Sequence, residues 1–163
     1  MNLQVAGFLD HSTVNGTGFR SVLFVSGCPH HCPDCHNQDM QAFDYGEVLS
    51  IDTLYARITK NKPLLDGVTF SGGEPFEQSL ALSELAKRIK KEGLSIWCYS
   101  GYTYNTLFND PTKRCLLDQI DVLVDGPFIK EQADSTLNYR GSRNQHIYAL
   151  KHSHIIQCLD EIL

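Results

Sequence analysis

Three cysteines, Cys28, Cys32 and Cys35, lie within the stretch Gly27–Asn37, read G-C-P-H-H-C-P-D-C-H-N, and make up half of the six cysteines in the chain. Spacers of three and then two residues let one tight loop turn three thiolates toward a common centre. A four-iron cubane held in this way has three irons bound by protein and a fourth left open, much as a catalytic metal keeps a position for substrate. The same spacing suits a zinc knuckle completed by His30, His31 or His36, or by Cys98, Cys115 or Cys158. Spacing alone leaves both chemistries open.

The chain that must position these thiols has 163 residues, enough for one domain with a substantial core and too few for two of ordinary size, so a single domain over 1–163 is expected. Hydrophobic residues are 42% and charged residues 20% of the total, and no apolar run approaches the roughly 18 residues of a membrane span. The N-terminal Met-Asn-Leu-Gln-Val has neither a basic region nor a long apolar segment. A soluble cytoplasmic protein with reduced thiols is therefore expected. A net charge of −5 and the lack of an arginine-rich stripe argue against a nucleic-acid partner.

Patterning alternates strand and helix. Leu3–Leu9 reads as a short strand, and Asn15-Gly16-Thr17-Gly18, which lacks a following Gly-Lys-Ser/Thr, reads as a turn and not as a phosphate cradle. Ser21–Ser26 reads as a buried parallel strand whose end delivers Cys28. Ser50 caps an expected helix over Ile51–Lys60, Val68–Phe70 is a strand running into Ser71-Gly72-Gly73-Glu74-Pro75, and Phe76–Lys91 has helical spacing. Leu94–Tyr99 is the next strand, Lys113–Gln119 a weaker helix and Val122–Val124 a strand, while His152–Leu163 reads as a final amphipathic helix or a frayed end. Such alternation implies right-handed crossovers and a parallel sheet. A closed eight-unit barrel needs about 250 residues, so the expected fold is α/β, a partial, open (β/α) barrel with a curved parallel sheet of about 5–6 strands. The loops after Ser26, Phe70, Tyr99 and Val124 all leave strand ends and share one rim, where parallel α/β folds place their sites.

The cysteine motif together with Gly72-Gly73-Glu74-Pro75 resembles the radical S-adenosylmethionine (SAM) superfamily. Within it, the Cys-His-Asn at 35–37, Val124-Asp125-Gly126-Pro127-Phe128 and Arg140-Gly141-Ser142-Arg143-Asn144-Gln145 resemble the activating proteins of anaerobic ribonucleoside-triphosphate reductase. The resemblance implies that Cys28, Cys32 and Cys35 hold a [4Fe–4S] cluster whose open iron is chelated by the methionine of SAM. It implies that the backbone of Gly72 and Gly73 approaches that methionine, that Glu74 helps orient it, and that Ser100 lies near it. Asp125 would accept the ribose hydroxyls, and the backbone about Asp34 and His36 would lie near the adenine. An electron from a reduced flavodoxin or ferredoxin would cleave SAM to methionine and a 5′-deoxyadenosyl radical, which would take a hydrogen from a glycine in the large subunit of the reductase. The missing barrel units would leave the side opening through which that glycine enters.

Departures from the family pattern are few. An aromatic residue often precedes the third cysteine, where this chain has Asp34, and arginine commonly follows Asn-Gln, where it has His146. Pro127 stands where a related activase of another glycyl-radical protein has lysine, which favours the reductase branch. Two other readings stand beside this one: a radical SAM enzyme acting on another glycyl-radical protein or a small molecule, and a non-enzymatic zinc-binding scaffold. Cys98 reads as a buried free cysteine, Cys115 and Cys158 as plain helix residues, and Asp121 as a loop or capping residue. Trp97, Tyr99, Tyr102 and Tyr104 read as core and rim packing.

Overall fold

The computed structural model describes residues 1–163. Eight strands form one sheet: β1 (Asn2–Ser12), β2 (Arg20–Val25), β3 (Glu47–Ser50), β4 (Gly67–Gly72), β5 (Ser95–Tyr99), β6 (Val122–Asp125), β7 (His146–Lys151) and β8 (His154–Cys158). Four helices accompany them: α1 (Ile51–Asn61), α2 (Ser79–Lys91), α3 (Tyr104–Phe108) and α4 (Pro111–Leu117). The strand order is β3-β1-β2-β4-β5-β6-β7-β8.

The sheet is mixed. Only β2, β4, β5 and β6 run parallel, while β1 and β3 on one flank and β7 and β8 on the other are antiparallel to their neighbours. The expected sheet of about 5–6 parallel strands is thus corrected to four parallel strands inside eight. The physical reason lies in the connections. A parallel pair needs a crossover of a dozen or more residues, whereas β7 and β8 are joined by two residues and can only be antiparallel. The tail expected as a helix or frayed end is this hairpin. His152 and Ser153 both take positive φ, 49° and 68°, as a two-residue turn of this hand requires. Cys158 accordingly ends an exposed strand instead of sitting in a helix, whereas Cys115 does lie in α4.

Alternation along the strands sorts the two faces. The row Leu23, Phe70, Cys98 and Leu123, in register across the four parallel strands, points to the helices. Leu54 and Ile58 of α1, Leu82, Leu85 and Ile89 of α2, and Leu116 and Leu117 of α4 meet it in a core of 24 buried residues. The spacings within α1 and α2 are those of one helix face. Ser50 caps α1 by accepting the Thr53 N–H at 3.1 Å, as its sequence indicated.

The opposite face carries no helix. Trp97, Val124 and Ile147 form a small cluster there, joined by Tyr99, Tyr139, Leu159 and Leu163. Buried Arg20 marks the lower end of this face, donating to Thr69 Oγ1, Val68 O and Ser95 O at 2.8–3.0 Å. The upper end, where β2, β4, β5 and β6 all terminate, is left for the loops.

Candidate cluster and cofactor site

Backbone hydrogen bonds fix the cysteine loop to the strand ends beside it. Gly27 N donates to Met40 O at 2.8 Å and Cys28 N to Gln41 O at 3.0 Å, so the far side of the loop folds back on its start. Gly73 N donates to Val25 O at 2.8 Å and Glu74 N to Gly27 O at 2.7 Å, which ties the end of β4 to the end of β2. Asn37 completes the tie by donating its side-chain amide to Gly72 O at 3.2 Å and its backbone N–H to Cys35 Sγ at 3.4 Å. None of the three cysteines is in a disulfide. Burial pushes the Cys28 thiol up to about 11, with Glu74 and the other two cysteines adding to the shift.

Above this loop lies a cavity of about 420 Å³, within the size range of small-molecule sites. Cys28, Cys32, Cys35, His36, Gly72, Gly73 and Ser100, all singled out in the sequence, line it together. Gly101, Gly126 and Gly141 do so too, so bare backbone faces much of the space. Side chains are excluded at Gly72 and Gly73. A Cβ on Gly73 would stand 2.6 Å from Gly27 O and 2.7 Å from Met40 O, and one on Gly72, where φ is +103°, 2.4 Å from Val25 O.

The two carboxylates stand behind the wall. Glu74 is fully buried, and its oxygens accept from Gly101 N at 2.8 Å, Phe76 N at 3.1 Å and the Ser100 hydroxyl at 3.0 Å, with His30 Nε2 at 2.7 Å. It braces Ser100 and Gly101 against the cysteine loop and does not reach the cavity. Asp125 is occupied in the same way: Oδ2 accepts Tyr104 N at 2.7 Å and Oδ1 accepts His146 N at 3.2 Å. Burial raises its carboxyl above the usual range. Its neighbour Gly126 lines the cavity instead. Asp34 is exposed, with positive φ, and pairs with Lys130 at 2.9 Å outside the cavity.

Several wall residues were not predicted as site residues. His30 bridges the loop to Glu74, and its ring lies edge-on to Tyr102, with centroids 4.4 Å apart. Phe128 sits 5.3 Å from the His36 ring and lines the cavity. Tyr139, Arg140 and Gln145 close another side. Gln145 holds that side in place, accepting from Gly141 N and Ser142 N and donating to Gly126 O at 3.0 Å. The Arg140–Gln145 motif marked this segment, but its packing role is a tertiary property.

The placement of the three thiols around one cavity bears on the two metal chemistries that fit the motif. Thiolates sharing one tetrahedral zinc, with Zn–S bonds of about 2.3 Å, stand about 3.8 Å apart. His146, Cys158 and Asp160 are a set of three potential ligands whose donor atoms all lie within 4.8 Å of one another, and the three loop sulfurs do not form such a set. A cubane, which gives each thiolate its own iron, takes the wider spacing. The donor set fits a cluster.

A family model described as a 4Fe-4S single cluster domain matches residues 14–148. An anaerobic ribonucleoside-triphosphate reductase-activating protein from Vibrio cholerae is 41% identical over 142 residues, covering 83% of this chain and 90% of the relative. One from Haemophilus influenzae is 40% identical over 146 residues, covering 85% and 92%. The chain belongs to this family. The family extends to a relative from Enterobacteria phage T4, 31% identical over 141 residues, covering 83% of this chain and 87% of that one. Among solved structures, a crystal structure of QueE from Escherichia coli superposes with a TM-score of 0.51 at 18% identity, over 63% of this chain and 54% of that one. That likeness concerns the fold.

Proposed function

We propose that this chain is a radical SAM activase that generates the glycyl radical of anaerobic ribonucleoside-triphosphate reductase. When bound, a [4Fe–4S] cluster supplies the electron that cleaves SAM to methionine and a 5′-deoxyadenosyl radical, and that radical takes a hydrogen from a glycine of the reductase. The observation that carries the reading is the meeting of Cys28, Cys32 and Cys35 with Gly72 and Gly73 at one cavity, in a chain of this family.

Each group of residues has a task in this reading. The three thiolates hold the cluster, and the loop bonds from Gly27, Cys28 and Asn37 hold the thiolates. Gly72 and Gly73 offer main-chain polar groups to the methionine end of SAM. Glu74 and Asp125 act one step back, Glu74 by orienting Ser100 and Gly101 and Asp125 by anchoring the turn into Gly126. Phe128 over His36 supplies the apolar face for adenine that Asp34 cannot.

The 163 residues work as a single domain, a partial barrel open on one side, and the target glycine of the large reductase subunit enters through that opening. The electron comes from a reduced flavodoxin or ferredoxin in the cytoplasm. No helix is long and apolar enough to cross a membrane.

The test uses anaerobically reconstituted protein. Iron and acid-labile sulfide should approach four of each per chain, reduction with SAM should yield methionine and 5′-deoxyadenosine, and addition of the reductase should give a glycyl-radical resonance. Cys32→Ala should fold yet lose cluster and cleavage together. Retained turnover in that variant would sink the ligand assignment, and cleavage without a radical on the reductase would redirect the proposal to another substrate.

A further inference from the structure

We propose that the C-terminal hairpin carries a second metal site, in which His146, Cys158 and Asp160 bind one divalent cation of the zinc class. Their donor atoms, a ring nitrogen of His146, Cys158 Sγ and a carboxylate oxygen of Asp160, lie within 4.8 Å of one another. His146 opens β7, Cys158 ends the antiparallel β8 opposite Tyr148, and Asp160 follows two residues later, so one hairpin presents all three. Cys158 and Asp160 lie beyond residues 14–148, the part matched by the family model, so the site neither belongs to the cluster nor rests on the proposed activity.

The donor set is one that a borderline-soft ion takes. Imidazole, thiolate and carboxylate are all zinc ligands, and neutral His with two anions balances a divalent charge. The exposure of Cys158 and partial exposure of His146 leave a fourth position to water. Bonds of about 2.0–2.3 Å to a tetrahedral ion separate its ligands by about 3.3–3.8 Å. His146 Nδ1 and Asp160 Oδ2, now 2.8 Å apart, would open by a fraction of that spacing on binding.

The surroundings suit ligation. Asp160 Oδ1 accepts Ile147 N at 2.7 Å, which aims the carboxylate so that Oδ2, now facing His146 Nδ1, can turn to the ion, the outer support that metal ligands need. Arg140 Nη1 stands 3.6 Å from Oδ2 and is the one cation the ion must tolerate; it also donates to Gln145 O at 2.7 Å, which holds it to its own loop. On binding, the Cys158 thiol releases its proton to solvent, and the proton that His146 Nδ1 shares with Asp160 moves to Nε2 by exchange with solvent, which frees the Nδ1 lone pair. Because His146 N donates to Asp125 Oδ1, the metal would also brace the strand end that leads to Gly126.

The test loads full-length, cluster-reconstituted protein with zinc, desalts it anaerobically, and measures zinc and iron in the same sample. Iron reports that the loop thiols are occupied, since those thiols also bind zinc when bare. Wild type should carry one zinc per chain beside full iron, and Cys158→Ser and Asp160→Asn should carry full iron without stoichiometric zinc. Cobalt in place of zinc should give a thiolate-to-metal charge-transfer band in the difference spectrum of wild type against Cys158→Ser. Cys158 is exposed, so its variant is expected to fold, and its iron content checks this. Stoichiometric zinc persisting in Cys158→Ser, or wild type with full iron and no zinc, would overturn the proposal.

Discussion

Replacing Glu74 by Gln tests whether a buried carboxylate locks the cysteine loop to the neighbouring strand end. The carboxylate receives two backbone N–H groups, from Gly101 and Phe76, together with the Ser100 hydroxyl and the His30 ring. An amide keeps the shape and turns one acceptor into a donor. With the amide nitrogen in place of Oε2, the Ser100 hydroxyl can rotate to accept, but Phe76 N–H loses its partner. With it in place of Oε1, Gly101 N–H is orphaned and His30 must accept. Either way one buried N–H is left unpaired, at about 1–3 kcal/mol, and the surviving bonds lose their charge assistance. The expected destabilisation is about 2–4 kcal/mol. Urea unfolding of the metal-free protein under anaerobic conditions, followed by circular dichroism, measures it as a lower midpoint at unchanged slope. Glu74→Ala, which removes every acceptor and leaves a cavity, should cost more. A Gln variant within about 0.5 kcal/mol of wild type, or an Ala variant more stable than the Gln variant, would refute the bracing role.

Three further outcomes are expected. Gly73→Ala drives a Cβ against Gly27 O and Met40 O, both backbone, so it should lower cluster content after reconstitution; full iron would show that the loop yields. Phe70→Ala empties a fully buried site between the sheet and the helices and should cost about 3–5 kcal/mol in the same unfolding assay, with a value below about 1 kcal/mol contradicting the packing. Cys28 in metal-free protein is held as thiol to about pH 11 by burial. Its alkylation, followed by peptide mass spectrometry, should therefore keep rising roughly tenfold per pH unit through pH 9, and a plateau below that would be the contrary result.

Much of the site was readable because its logic is local. Cysteines at spacings of three and two, and glycines on the next strand end, state their chemistry through residue type and sequence distance. Parallel strands brought them to one rim, since every βαβ unit returns the chain in the same direction. The core was readable for a similar reason: Leu82, Leu85 and Ile89 mark a helix face by period alone. The flanks were not. Glu47–Ser50 is too short and too exposed to show a strand pattern, and β8 is exposed throughout, so neither had an apolar period to betray it.

The sequence by itself determined that three thiols share one short loop, which glycines keep side chains out of the cavity, and the strand–helix rhythm, because each depends on residue identity and short-range spacing. Only the tertiary structure decided that Glu74 and Asp125 spend their oxygens on protein N–H groups, that Asp34 turns outward to Lys130, and that His146, Cys158 and Asp160 meet on a hairpin. The physical reason is that a carboxylate's role is set by which donors fold against it, and those donors arrive from elements far away in the chain.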